Sequence, residues 1–356
     1  MALEPNQDNR GPLVKNPFST VLKANRMMRK GRPLSAALLW QRALMPAIPA
    51  AKKPRVVKRR STAKKAETAK RPQPGSFSED EYSCPQGSLR YRLYTPIGST
   101  RRRLPLIVML HGCTQSAADF AFGTDMNRLA DELGFLVLYP EQSPRANANR
   151  CWNWHSPSHQ AHGKGEAAVI VGLTRHILDH SRGHAGRVYI AGISAGGAAA
   201  AIIAAAYPTL YVAVGVHSGV PMGTIRSVGD ALTAMRGKAS PSIGKTVPPL
   251  PMILFHGDSD RVVHPSNAGG FVNQLQRSSA RPLNIISDEG SVPGGRAFTR
   301  TLYRYGRGPV MLEEWTVHGS GHAWSGGKAG GSYTDPKGPD ASRAMATFFL
   351  ARRRSA

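Results

Sequence analysis

Five continuous apolar runs set the frame of this chain: LPLIVMLHG (104–112), FLVLYPE (135–141), RVYIAG (187–192), YVAVGVHSG (211–219) and PMILFHGDSD (251–260). Strands that stay apolar without alternating are buried on both faces, as in parallel sheets covered by helices. Helical stretches are expected between and after them, at roughly 123–133, 166–180, from 195 onward, 267–277 and 340–353. SLRYRLYTP (88–96) alternates like an antiparallel edge strand, and two more strands are expected near 299–306 and 310–318. Strand–helix alternation of this kind predicts an α/β domain with a mostly parallel, doubly wound sheet. Its active site is then expected beyond the carboxyl ends of the strands. Residues 220–250 are weakly patterned and read as a flap over that end.

Charge divides the chain. The net charge of the 356 residues is +25. Residues 1–74 hold 18 Lys and Arg against three acids, so +15 of it lies in the first fifth of the sequence. Within that tail, 1–45 reads as an extension with two short helices broken at Gly31-Arg32-Pro33. Residues 46–75 are rich in Pro, Ala and Lys without periodicity, the composition of a basic disordered linker. The globular domain is expected over 76–356. Three cysteines make neither a disulfide framework nor a metal-ligand spacing. Cys113 and Cys151 follow neighbouring strands and could pair in an oxidising compartment; free thiols, the reading for a cytosolic chain, are preferred. The first 21 residues lack the charged and apolar regions of a secretory signal, which favours the cytoplasm. No apolar run has the length of a membrane span.

The decisive motif sits where RVYIAG meets AGGAAAAIIAAAYP. Gly192-Ile193-Ser194-Ala195-Gly196 is a G-x-S-x-G pattern between a strand and a helix, the context of a nucleophile elbow. The alternative is a serine that merely caps the helix. Two further strands end in the partners a serine nucleophile needs. PMILF empties into His256-Gly257-Asp258-Ser259-Asp260, and the strand near 310–318 empties into Gly319-Ser320-Gly321-His322. A serine hydroxyl needs a base, and the base needs a carboxylate to fix its tautomer and stabilise its cation. Asp260 is preferred to Asp258, which suits a turn cap. His322, in a glycine-rich loop, is preferred to His318, which still lies beside its strand. The order Ser…Asp…His is that of α/β-hydrolases. The two oxyanion donors are expected from the backbone of Ala195 and of Cys113, each worth about 3 kcal/mol of transition-state stabilisation. His111 is read as structural. His318 and His322 do not make a zinc motif, lacking the glutamate and the helix.

Several stretches together, LPLIVMLHGCTQS, CWNWHSP, RVYIAGISAGG, GVHSGVP, FHGDSDRVVHPSN and GHAWSGG with its sequel GSYTDPKGPDASRAMATFFL, resemble the poly(3-hydroxybutyrate) depolymerase-type esterases over about 76–352. That family has the α/β-hydrolase fold and groups with feruloyl and acetyl-xylan esterases. The resemblance implies a serine esterase without metal or other cofactor. Its nucleophile, acid and base fall on Ser194, Asp260 and His322, and its oxyanion turn on Cys113. The expected substrate is a hydroxyalkanoate ester or oligomer, with an aryl or sugar-linked ester as the other reading. Trp154 and Trp324 flank these segments and are read as lining the substrate groove, with packing in the core an equal alternative for either one. The basic tail suits a polyester granule or another anionic surface, with a solvated extension without function as the equal alternative, and nucleic acid is disfavoured. A basic binding scaffold without catalysis is the reading from outside enzymology, and three intact catalytic residue types argue against it.

Overall fold

From Leu106 to Leu110 every residue is fully buried. Successive side chains of a strand point to opposite faces, and these do: Leu106, Val108 and Leu110 enter one core, Ile107 and Met109 the other. This is the continuous apolar run LPLIVML, which forms β3 (Leu104–Leu110). The computed structural model describes residues 75–98, 103–223, 225–238, 250–279 and 281–354. The chain divides into two units, Met1–Ala69 and Lys70–Ala356, and everything described belongs to the second. The two short helices expected within 17–45, and the linker as far as residue 74, lie outside the described residues.

Among the described residues, ten strands form one sheet. In chain order they are β1 (Ser76–Cys84), β2 (Gly87–Thr95), β3, β4 (Leu136–Glu141), β5 (Gly183–Ile193), β6 (Ala213–His217), β7 (Met252–Gly257), β8 (Leu283–Ser291), β9 (Ala297–Tyr305) and β10 (Val310–Val317). Across the sheet they run β1-β2-β4-β3-β5-β6-β7-β10-β9-β8. The central six, β4 to β10, pair in parallel. Antiparallel strands flank them on both sides. The ends of β5, β7 and β10, which lead into the candidate serine, acid and histidine, therefore share one edge of the sheet.

Helices cover both faces. On one side lie α3 (Gly165–His180) and α4 (Ala195–Ala206), which put Ile170, Leu173, Ala200 and Ile203 into the first core. On the other lie α1 (Ala117–Thr124), α2 (Met126–Leu133) and α7 (Ala341–Leu350), which put Phe120, Leu129, Met345 and Phe349 into the second. Two more helices, α5 (Val228–Met235) and α6 (Ser266–Arg277), complete the first side. Fully burying a side chain of this size contributes about 1.5–3 kcal/mol, so each face is held by many such increments.

Two expectations need correction, and three elements, β1, β8 and α5, were not expected. The helix expected over 123–133 is two helices, broken where Asp125 takes a left-handed backbone with φ 53°. The first starts early because Ser116 caps it, accepting the Asp119 N–H. The alternating strand at 88–96 is not an edge strand. β1, an acidic run too polar to read as a strand, covers it, with Glu79 paired to Arg90 and Arg92. β8 was likewise not expected, because almost all of it is exposed and it carries no apolar pattern. The segment 220–250, read as a flap, contains α5; residue 224 and residues 239–249 lie outside the described residues.

Candidate active site

β5 ends at Ile193, and the next residue has φ 58° and ψ −121°. Ser194 is thus a non-glycine residue in a backbone region that costs of order 1–3 kcal/mol and persists only when its surroundings enforce it. They do so through close packing. A Cβ on Gly196 would strike the carbonyl oxygens of Leu110 and His111, and one on Gly192 would strike Gly196 itself. Both glycines of the motif are therefore contact requirements: they let α4 close onto the end of β3. The Ser194 N–H donates to His217 O at 2.9 Å, and the Ser194 carbonyl accepts the Ala198 N–H at 3.0 Å. The Ser194 side chain makes no capping bond. The helix-cap alternative is therefore not the role its hydroxyl plays.

The acid and histidine candidates sort into two pairs. His322 Nδ1 donates to Asp260 Oδ2 at 2.7 Å, with both side chains buried. The other oxygen, Asp260 Oδ1, accepts the N–H groups of Val262 and Val263 at 2.8 and 2.9 Å. Burial alone raises the Asp260 pKa. The facing His322, then His256 and the Val263 N–H, outweigh it and hold the carboxyl below its ordinary value. An ionised carboxylate only accepts hydrogen bonds, so Nδ1 keeps its proton and Nε2 is left as the basic nitrogen. Asp258 and His318 pair with each other instead, at 2.9 Å and in the open. Asp258 also accepts the Gly319 N–H, and His318 Nε2 lies 2.9 Å from Thr299 Oγ1. They form a surface clasp between the two loops.

Around the turn after β3, the Gly112 N–H goes to Gln115 Oε1, the Thr114 N–H to Asn149 O and the Gln115 N–H to Gly112 O. The Cys113 N–H takes no acceptor among the described residues. Ala195 opens α4, where the first N–H groups have no intrahelical partner and the helix dipole is positive. These are the two amides expected to meet an oxyanion. Supporting groups pin the turn. His111 Nε2 accepts the Gln142 N–H at 3.1 Å, and Trp152 Nε1 donates to His111 O at 3.0 Å. His111 is fully buried, in keeping with a structural role, and burial pushes its pKa down.

Cys113 and Cys151 are bonded to each other, which overturns the preference for free thiols. The spacing could not decide it, since 38 residues separate them; the parallel pairing of β3 and β4 brings their following loops together. Cys84 is the free cysteine among the described residues. The native, unreduced chain is expected to titrate one thiol after unfolding, and three after reduction. Three before reduction would remove the bridge.

The tryptophans divide. Trp154 lines a cavity of about 200 Å³ with Ile202, Ala206, Pro221 and Met222. Trp324 does not line a groove, contrary to expectation. It is 1% exposed, packed edge-on against Phe120 and stacked on His217, with Nε1 donating to Ser342 Oγ. A side chain this enclosed by core neighbours has no face left for substrate.

A family model described as esterase PHB depolymerase matches residues 89–283. The chain belongs to the esterase PHB depolymerase family. Its similarity to poly(3-hydroxyalkanoate) depolymerase C of Paucimonas lemoignei is 30% identity over 252 residues, 66% of this chain and 58% of that one. To feruloyl esterase B of Thermothelomyces thermophilus it is 29% over 236 residues, 61% of this chain and 78% of that one. The chain thus spans little more than half the length of the depolymerase. Among solved structures, the acetyl xylan esterase from Aspergillus awamori superposes with a TM-score of 0.56 at 21% identity, covering 69% of this chain and 94% of that one. The family's fold is the α/β-hydrolase fold, as the sheet order and the elbow require. Among the described residues no group of His, Cys, Asp and Glu could hold a metal ion.

Proposed function

We propose that this member of the esterase PHB depolymerase family is a serine carboxylesterase with Ser194 as nucleophile, His322 as base and Asp260 as acid. The observation that carries the reading is the buried Asp260–His322 hydrogen bond at the same sheet edge as a serine in left-handed backbone. Ser194 Oγ attacks the ester carbonyl carbon as His322 Nε2 takes its proton. The negative oxygen of the tetrahedral adduct is met by the Cys113 and Ala195 N–H groups. The alkoxy C–O bond then breaks, and His322 returns the proton to the leaving alcohol. Water repeats the sequence on the acyl-enzyme and frees the acid and Ser194. Asp260 stays ionised throughout, orienting the imidazole and stabilising its cation.

The substrate we favour is a hydroxyalkanoate ester or oligomer, in line with the depolymerase relative. A feruloyl or acetyl ester is the second reading, since the feruloyl esterase is similar to nearly the same degree. Trp154 and its apolar cavity are assigned to substrate contact. The basic tail is assigned to a polyester granule or another anionic surface. One experiment tests these readings together. The full chain and a variant beginning at residue 75 are assayed on p-nitrophenyl esters of increasing acyl length, then on suspended poly(3-hydroxybutyrate), feruloylated and acetylated xylan. The full chain is expected to hydrolyse short acyl esters and to release hydroxybutyrate from the polymer. The truncated chain should keep kcat/KM on the soluble ester within about threefold, under 1 kcal/mol, but sediment less with polymer particles. Preference for either xylan would move the substrate to the second reading. A large loss on the soluble ester would show that the tail serves catalysis directly.

A further inference from the structure

Ser194 and His322 come from segments 128 positions apart in sequence, and one residue bonds to both segments. The carbonyl oxygen of His217, at the end of β6, accepts the Ser194 N–H at 2.9 Å. Its imidazole Nε2 accepts the Ser325 N–H at 2.9 Å, three residues beyond His322. An accepting Nε2 requires the proton on Nδ1, and Nδ1 has an acceptor for it, Ser218 Oγ at 3.1 Å. All hydrogen-bonding positions of the ring are thereby used. The ring has little freedom to turn: it is 1% exposed and stacked on Trp324 and Phe255, with centroids 5.1 and 5.8 Å away. Burial pushes its pKa down to about 3, so it remains a neutral acceptor in neutral solution.

We infer that His217 is a positioning residue for the hydrolytic reaction, holding the nucleophile turn and the base loop in one register. The inference rests on Ser194 and His322 being nucleophile and base. Ser325 ends the short strand β11 (Trp324–Ser325), which pairs with β12 (Thr334–Asp335). Anchoring Ser325 therefore anchors the segment carrying His322 at its far end, as Asp260 anchors the imidazole itself. A phenylalanine could fill this stacked site. It could not accept the Ser325 N–H, and a buried donor left unpaired costs about 1–3 kcal/mol. That distinction separates packing from positioning.

The test compares His217→Phe, which keeps a flat ring in the stack, with His217→Gln, whose side-chain oxygen can reach Ser325. His217→Phe is expected to lower kcat about 10- to 100-fold, the effect of a small misplacement of reacting groups, with KM within about twofold. His217→Gln should recover kcat to within about fivefold of the parent. Fluorophosphonate labelling of Ser194 should slow in the same order, and amide exchange at Ser325 should accelerate in the Phe variant alone. A folded His217→Phe with parental kcat overturns the inference, as does a Gln variant no better than Phe. Should His217→Phe not fold, His217→Asn, one carbon too short to reach Ser325, takes its place with the same expected loss. A parent chain without Ser194-dependent ester hydrolysis would instead bring down the esterase reading, and this inference with it.

Discussion

Ser194→Ala should abolish ester hydrolysis while leaving the fold intact. The expected loss in kcat is on the order of 10⁶-fold, the cost of removing a serine nucleophile from a unit that acts together. The fold should survive because alanine keeps the Cβ. The strain of a side chain at φ 58° is the same before and after, and the Ser194 hydroxyl makes no capping bond to lose. Thermal unfolding of the two proteins should therefore coincide within a few degrees. A fluorophosphonate should label the parent at Ser194 alone and leave the variant unlabelled. Labelling that survives the substitution would place the nucleophile elsewhere.

The second large effect separates two pairs that look alike in sequence. Asp260→Asn keeps an oxygen for the Val262 and Val263 N–H groups but turns an amide N–H toward His322. The imidazole must then accept at Nδ1 and carry its proton on Nε2, the wrong tautomer for a base. The expected loss is about 10⁴-fold in kcat. His322→Ala should cost at least as much. Asp258→Asn and His318→Ala loosen only an exposed clasp, whose members are 38% and 44% accessible. Exposed ion pairs contribute about 0–1 kcal/mol, so these two should stay within about tenfold of the parent. Steady-state rates of the four variants decide the matter. If Asp258→Asn is the more damaging acid change, the acid lies two residues earlier than assigned.

Legibility followed burial. The central strands were readable because both their faces are covered, so their sequences are apolar throughout. β1 and β8 were not, since edge strands with solvated faces carry polar residues that pattern rules read as loop. The elbow was readable because its glycines are demanded by contact at one short site. The identity of the acid rested on loop position and on the family resemblance, and Asp258 and Asp260 differ in position by two residues. What separates them is which histidine each meets across the sheet edge, a relation between β7 and β10 that neither segment encodes by itself. Trp324 misled for the converse reason. Its neighbours in sequence belong to the base loop, but its neighbours in space belong to the core. His217 was passed over because GVHSG reads as an ordinary strand end until the partners of its carbonyl and its ring are known.

The bond between Cys113 and Cys151 gives this chain a biography. The amide assigned to one half of the oxyanion hole belongs to a half-cystine, so its stiffness depends on where the protein matured and what it met afterwards. Chains made where thiols stay reduced and chains made where they oxidise share one sequence and differ in a covalent bond beside the reaction. Rates measured on material from two hosts therefore compare oxidation states before they compare anything else.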